Sequence, residues 1–311
     1  MKLLNNKYKN FFFEYSSYWD TYIRKDVQLK KSFMNLNYIH YYNEIPYTRW
    51  PFFLAISLFT TVFYLLLSLK RFDWTLQLGV IGLGLVAYYT FMWFNDMFIE
   101  SSIFGKYNRK IRACLVYGFV LFILSECALF SGFFWTYFDR FFHPSIYTGN
   151  NALPYGIQPI YKSTTSFIAT LLLMSSGVIF NYSAYLLRTG VWNIPSLYIG
   201  IGILFGFSFL YIQYTEYNNI LTFNITESVY GSIFYFLTGF HGLHVVVGLI
   251  FLSVTFLILE SRSYYTRERH FSLSLAIFYW HFVDLIWIFL YFSVYVWNLS
   301  NSYYYLWDVQ F

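Results

Sequence analysis

The stretch from residue 228 to residue 259 reads SVYGSIFYFLTGFHGLHVVVGLIFLSVTFLIL and contains no Asp, Glu, Lys or Arg. As an α-helix with a rise of about 1.5 Å per residue, it would extend roughly 48 Å, whereas the hydrocarbon core of a bilayer is about 30 Å thick. The stretch therefore predicts a membrane-spanning helix that tilts, protrudes from the bilayer or begins inside the run.

The overall composition excludes the other broad classes of protein. The chain has 311 residues and is 58% hydrophobic but only 11% charged, whereas soluble domains are about 25% charged and disordered chains need low hydrophobicity. Two cysteines, Cys114 and Cys127, are too few for a disulfide scaffold, and their apolar surroundings predict two buried thiols. The net charge of +5 is small, and the basic residues lie outside the apolar runs. This distribution favours lipid head groups over nucleic acid as a partner.

Further apolar runs bring the number of predicted spans to seven, without an internal repeat or a soluble domain. The predicted spans are residues 51–69, 74–94, 113–138, 163–187, 195–215, 228–259 and 271–297. Membrane barrels need alternating segments of about ten residues, so these continuous runs predict an all-α membrane protein. The predicted organisation is an N-terminal leader (1–49), helices 1–2 (50–95), a charged loop (96–112), helices 3–7 (113–298) and a C-terminal tail (299–311).

The basic residues are unevenly distributed between the two sides of the membrane. With seven spans, 16 Lys and Arg residues fall on the side of the N-terminus and 4 on the opposite side. Positive charge stays on the side of synthesis, so the N-terminus is expected there and the C-terminus across the membrane. The 38 Phe and 33 Tyr residues, whose codons are AT-rich, and the absence of a targeting presequence or secretory leader at the start suggest an organellar gene product.

Ionisable side chains inside the predicted spans are the candidate functional groups. They are Glu126, His241, His244, His281 and Asp284. A charge at membrane depth costs about 2.5–3.5 kcal/mol on insertion scales, so each group needs a partner, a neutral state or a water pocket. Glu126 is either a carboxyl that handles protons or binds a ligand, or a hydrogen-bonded structural acid.

The histidines have both functional and structural interpretations. His241 and His244 are three residues apart on one helical face, but a metal or haem needs further ligands from other helices. The sequence therefore favours interhelical hydrogen bonds, with close helix approach at Gly239 and Gly242. The residue pair His281–Asp284 is also spaced i,i+3 and is either a proton relay or a pair that fixes helix packing. No motif of a hydrolase or of a phosphate loop accompanies these groups.

Three long motifs follow one another in the third, sixth and seventh predicted helices. They are Ser125-Glu126 through Gly132-Phe133-Phe134-Trp135; Val229-Tyr230-Gly231-Ser232 followed by Thr238 through Val245; and Tyr279-Trp280-His281-Phe282-Val283-Asp284 with Trp287, Leu290 and Tyr291. These motifs resemble those of the cytochrome c oxidase subunit III family, and they occur in that family's order. Weaker matches extend the resemblance over about residues 50 to 298.

The resemblance implies an accessory, non-redox subunit of a proton-pumping terminal oxidase in the mitochondrial inner membrane, with the N-terminus in the matrix. In that family helices 1–2 are splayed from helices 3–7, and phospholipid fills the cleft. Haem and copper belong to the catalytic partner subunit, so the resemblance implies no catalytic and no metal-binding residue in this chain. Glu126 matches the family's buried glutamate, and the two histidine sites match its signature polar positions.

The resemblance also places lipid head groups beside the loop after the second helix. The candidate lipid-binding residues are Glu100, Lys106, Arg109 and Arg112. Asn95 and Ile99 stand where the family often carries basic residues, which weakens the assignment of single lipid contacts. Asp139 and Gln158 likewise replace histidines of the family pattern.

Two other functions remain open from the sequence. A third subunit of a bacterial quinol oxidase would carry similar motifs. A free-standing proton or solute transporter would use Glu126 and the pair His281–Asp284, but such transporters often contain inverted repeats and broken helices, which are not evident here.

Overall fold

The computed structural model describes residues 48–70, 72, 74–102, 107, 109–144, 146, 163–190, 194–219, 221, 223–260 and 270–297. These residues form seven long helices, and no strand occurs among them. The helices are α1 (Trp50–Leu69), α2 (Thr75–Ser102), α3 (Arg109–Phe142), α4 (Ser163–Thr189), α5 (Pro195–Asn219), α6 (Val229–Glu260) and α7 (Phe271–Leu290), which continues as a π-helix over Tyr291–Val296. All seven are long and apolar enough to cross a membrane, which confirms the all-α prediction with seven spans.

Helices α2 and α3 are longer than the apolar runs that predicted them. Helix α2 continues beyond residue 94 to Ser102, and α3 already begins at Arg109. With 34 residues, α3 extends about 51 Å and must protrude from a hydrocarbon core of about 30 Å. Much of the charged segment predicted as a loop is therefore helical. The predicted C-terminal tail, and all but residues 48–49 of the predicted leader, lie outside the described residues.

The chain separates into two compact units, and the first of them, Met1–Ile111, contains α1 and α2. The two helices are antiparallel. Trp50 at the start of α1 donates from Nε1 to Asp96 Oδ2 near the end of α2, over 2.6 Å, and Thr61 lies against Gly82, where an added Cβ would come within 3.2 Å of the Thr61 Cα. Ser57 and Thr61 are the buried residues of α1, so small side chains allow the helices to approach each other.

The second unit, Arg112–Phe311, buries a core dominated by aromatic side chains. Trp280 and Trp287 of α7 are fully buried and donate from their indole nitrogens to α4, to Ser176 Oγ over 2.9 Å and Thr170 Oγ1 over 3.0 Å. Buried Trp usually finds such a partner for its N–H. These bonds fix the rotation of α7 and with it the positions of His281 and Asp284.

The two cysteines differ from the prediction of buried thiols. Both are free, but Cys114 is exposed and Cys127 is partly exposed. The prediction was wrong because apolar sequence in a membrane helix does not distinguish a side chain facing the protein core from one facing lipid. The same reasoning explains the many large apolar side chains exposed on α1 and α2, such as Phe52 and Phe59.

Candidate functional site

Glu126 of α3 and His244 of α6 form an interhelical pair inside the second unit. His244 Nε2 lies 2.9 Å from Glu126 Oε2, and the two side chains are 9% and 20% exposed. The other ring nitrogen, Nδ1, lies 2.7 Å from the carbonyl oxygen of Phe240. Because a carbonyl only accepts, Nδ1 carries a proton, and one further proton is shared between Nε2 and the carboxyl.

Aromatic side chains surround His244 on its remaining sides. The ring centroid of Phe130 lies 5.1 Å away, and those of Tyr279 and Phe282 lie 6.5 Å away. Both ring nitrogens already have partners, so the imidazole has no free position for a metal. The arrangement is that of a polar clamp between α3 and α6.

His241 is one turn from His244 but faces a different helix. It is fully buried, its ring centroid lies 5.0 Å from that of Trp287, and its Nε2 lies 3.2 Å from the Val283 carbonyl oxygen of α7. The two histidines therefore do not converge on one ligand, although their spacing places them on similar sides of α6. Across the described parts of the chain, no three His, Cys, Asp or Glu side chains come together as a metal site.

Close helix approach occurs at other glycines than those predicted. An added Cβ at Gly239 would lie 4.0 Å from the Tyr217 hydroxyl, and one at Gly242 would lie 3.5 Å from Gln213 Oε1, which are ordinary contacts. At Gly248, by contrast, the added Cβ would lie 2.9 Å from Trp280 Cε3. The prediction placed the tight contact too near the histidines, because the sequence does not show which glycine faces a bulky side chain.

His281 and Asp284 come together as their spacing indicated. His281 Nδ1 lies 3.6 Å from Asp284 Oδ2, and its Nε2 lies 3.1 Å from the side-chain oxygen of Asn181 on α4. Gly177 of α4 makes room for the pair, since an added Cβ there would lie 2.6 Å from Asp284 Oδ2. The pair therefore joins α7 to α4.

Glu216 is a buried acid that the sequence reasoning placed outside the spans. Its residue is 1% exposed, because α5 continues to Asn219 instead of ending at residue 215. Nearby on the same helix, Gln213 donates from Nε2 to the Thr238 carbonyl of α6 over 2.9 Å, and the Tyr217 hydroxyl lies 2.6 Å from the Thr238 hydroxyl. The spacing of Gln213, Glu216 and Tyr217 at i, i+3 and i+4 was the available signal for a polar helix face.

The candidate lipid-binding residues lie where the sequence passes from the end of α2 to the start of α3. Glu100 is a partly exposed residue of the last turn of α2, Arg109 is the first residue of α3, and Arg112 is a partly exposed residue one turn later. Lys106 lies outside the described residues.

An apolar groove lies between α3 and α7 in the second unit. Its volume is about 850 Å³, and its walls include Phe130, Phe134, Phe289 and Phe292, with Asp139 and His143 among its few polar residues. His143 Nδ1 lies 3.7 Å from Asp139 Oδ1 and both side chains are exposed. The groove offers apolar contact along its length and few groups that bind polar ligands.

Comparison with known proteins shows similarity along nearly the whole described chain. The sequence profile of the family "Cytochrome c oxidase subunit III" matches residues 40–299. The "Cytochrome c oxidase subunit 3" of Emericella nidulans is 36% identical over 273 residues, which are 87% of this chain and 98% of the relative. The proteins of the same name from Coturnix japonica and Arabidopsis thaliana are 35% and 32% identical, over 83% of this chain in each case and 98% and 97% of the relatives.

Proposed function

The chain belongs to the cytochrome c oxidase subunit III family and is an accessory subunit of that terminal oxidase; we propose that it carries no active site and supports the catalytic haem–copper subunit from within the mitochondrial inner membrane. The observation that carries this proposal is how the ionisable side chains predicted inside the spans are bound. Glu126 bonds His244, His281 lies against Asp284, and His241 bonds a backbone carbonyl. The Glu126–His244 and His241 contacts, and that of His281 with Asn181, join helices, and the described residues contain no set of converging ligands for a redox centre.

The proposal predicts the behaviour of the protein on purification. After extraction from its membrane in a mild detergent, the chain should migrate with haem and copper in one complex. A chain that migrates alone and transports protons or solutes would contradict the proposal and support a free-standing transporter. A complex that oxidises quinol instead of cytochrome c would support the quinol oxidase. The names of the relatives do not favour either alternative.

Phospholipid is part of the proposal. We infer that ordered lipid lies against the exposed apolar side chains of α1 and α2, with head groups beside Glu100, Lys106, Arg109 and Arg112. Two features support bound lipid: the outward apolar side chains of α1 and α2 and the apolar groove on α3 and α7. A high-resolution map of the same purified complex should contain acyl-chain density beside α1 and α2. Protein side chains filling that space would contradict the lipid assignment and leave the subunit assignment intact.

The proposed orientation gives a separate prediction. The excess of Lys and Arg on the N-terminal side places the N-terminus in the matrix and the C-terminus in the intermembrane space. Protease added to mitoplasts should therefore remove the C-terminal segment and spare the N-terminal segment until the membrane is opened. Digestion of both segments from one side would contradict an odd number of spans.

A further inference from the structure

Three buried oxygen-bearing side chains from three stretches of helix face one another in the second unit. They are Ser166 in the first turn of α4, Glu216 in the last turn of α5 and Tyr295 in the π-helical segment, with 0%, 1% and 2% exposure. The carboxyl of Glu216 is close enough to both hydroxyls to interact with them. These contacts are loose, because none of Ser166 Oγ, Glu216 Oε1 and the Tyr295 hydroxyl has a protein partner at the distance and angle of a formed hydrogen bond.

This arrangement is unusual for a folded protein. Buried polar side-chain atoms nearly always have a hydrogen-bond partner, because burial without one removes their bonds to water and replaces them with nothing. One such atom can be accommodated, but three that face one another define a polar site. The site needs a group that both donates and accepts hydrogen bonds.

We propose that Ser166, Glu216 and Tyr295 bind a water molecule that joins α4, α5 and α7. A buried water typically makes about three hydrogen bonds, and this site offers three oxygens. Water can donate to the Glu216 carboxyl and accept from the two hydroxyls, which satisfies all three groups. A calcium or magnesium ion takes six or more oxygen ligands, of which the two hydroxyls and one carboxyl here supply only a part, so this site suits a single water better.

The packing around Tyr295 keeps the three groups from closing onto one another. Its ring centroid lies 6.0 Å from that of Phe234, 6.1 Å from that of Trp287 and 6.1 Å from that of Tyr291. Aromatic neighbours on several sides hold the phenol ring in one rotamer, so its hydroxyl does not swing freely towards Glu216. The water site is therefore a consequence of how the last helix packs.

X-ray radiolytic labelling of the intact purified complex in ¹⁸O-water tests the proposal, because radicals form at bound water and attack the adjacent side chain. We expect Tyr295 to acquire ¹⁸O several-fold faster than Tyr137. Tyr137 is a matched control, since it is 3% exposed and its hydroxyl donates to the Ser293 carbonyl over 3.0 Å. Equal or slower labelling of Tyr295 would overturn the proposal.

A high-resolution map of the same complex provides the second measurement. We expect a density peak within hydrogen-bond distance of Ser166 Oγ, Glu216 Oε1 and the Tyr295 hydroxyl. A direct bond between Tyr295 and Glu216 without that peak would reject the water, even if Tyr295 is labelled. A peak with six or more surrounding oxygens would instead assign the site to a cation and also reject it. The proposal stands only if the labelling and the map both agree with it.

Discussion

Replacing Gly248 by alanine is expected to destabilise the second unit by about 1–3 kcal/mol, the usual cost of overpacking a filled core. The added Cβ would lie 2.9 Å from Trp280 Cε3 and 3.2 Å from its Cζ3. Trp280 is fully buried, and its indole N–H is held by Ser176 of α4, so the ring has little freedom to move aside. The effect is measured by heating the detergent-solubilised complex. The readout is the fraction of this subunit that remains bound to the complex at each temperature.

Gly132→Ala in α3 is the matched control for this experiment. Apart from the neighbouring backbone of α3 itself, no atom of the described residues lies within 4 Å of an added Cβ at Gly132, and alanine is a better helix former than glycine by about 1 kcal/mol. The control should therefore be neutral or slightly stabilising. The double variant Gly248→Ala/Trp280→Phe should lose less stability than the sum of the two single changes, because the smaller ring leaves room for the new methyl group. Equal stability of the Gly248 and Gly132 variants would contradict the packing argument.

The second large effect is expected from His244→Ala, which leaves the Glu126 carboxyl without its partner. A buried donor or acceptor left unsatisfied costs about 1–3 kcal/mol, and we expect a matching loss of assembled complex. Glu126→Gln should lower the yield of assembled complex less than Glu126→Ala does. With Nδ1 of His244 donating to the Phe240 carbonyl, the neutral ring accepts at Nε2, and the glutamine amide can donate to it. The yield of assembled complex for each variant measures the difference.

Measurements of haem, copper and turnover distinguish a structural role of these residues from a role in catalysis. In the complexes that do assemble, removal of His241, His244 or His281 should leave haem and copper per complex unchanged, measured by absorbance and metal analysis. If Glu126 instead moves protons, the Gln variant should assemble normally and lose turnover or pumping as severely as the Ala variant. A lower haem or copper content per assembled complex in any of the three histidine variants would contradict a non-redox subunit.

The number and type of the helices were predictable from the sequence because uncharged runs are a direct consequence of the lipid environment. The pair His281–Asp284 was predictable for a similar reason, since residues three apart on one helix are neighbours whatever the fold. Partners from different helices were not predictable in this way. His244 and Glu126 are 118 positions apart, and only the packing of α3 against α6 decides that they meet.

The errors have physical causes as well. Glu216 was placed outside the spans because the predicted span ended where charge began, whereas α5 continues to Asn219. The exposure of Cys114 was missed because lipid and protein core favour the same apolar residues. A hydropathy pattern thus indicates where the chain crosses the membrane, and it does not indicate which side of a helix faces the other helices.

The paired helices α1 and α2 have a consequence for the order of events during synthesis. Their contacts, from Trp50 with Asp96 to Thr61 with Gly82, all lie between residues of this one hairpin. Helix association in a bilayer follows insertion and depends on close fit between helices already present. The hairpin can therefore close as soon as both helices have entered the membrane, without waiting for the later helices. Folding of this first unit can therefore precede folding of the second unit.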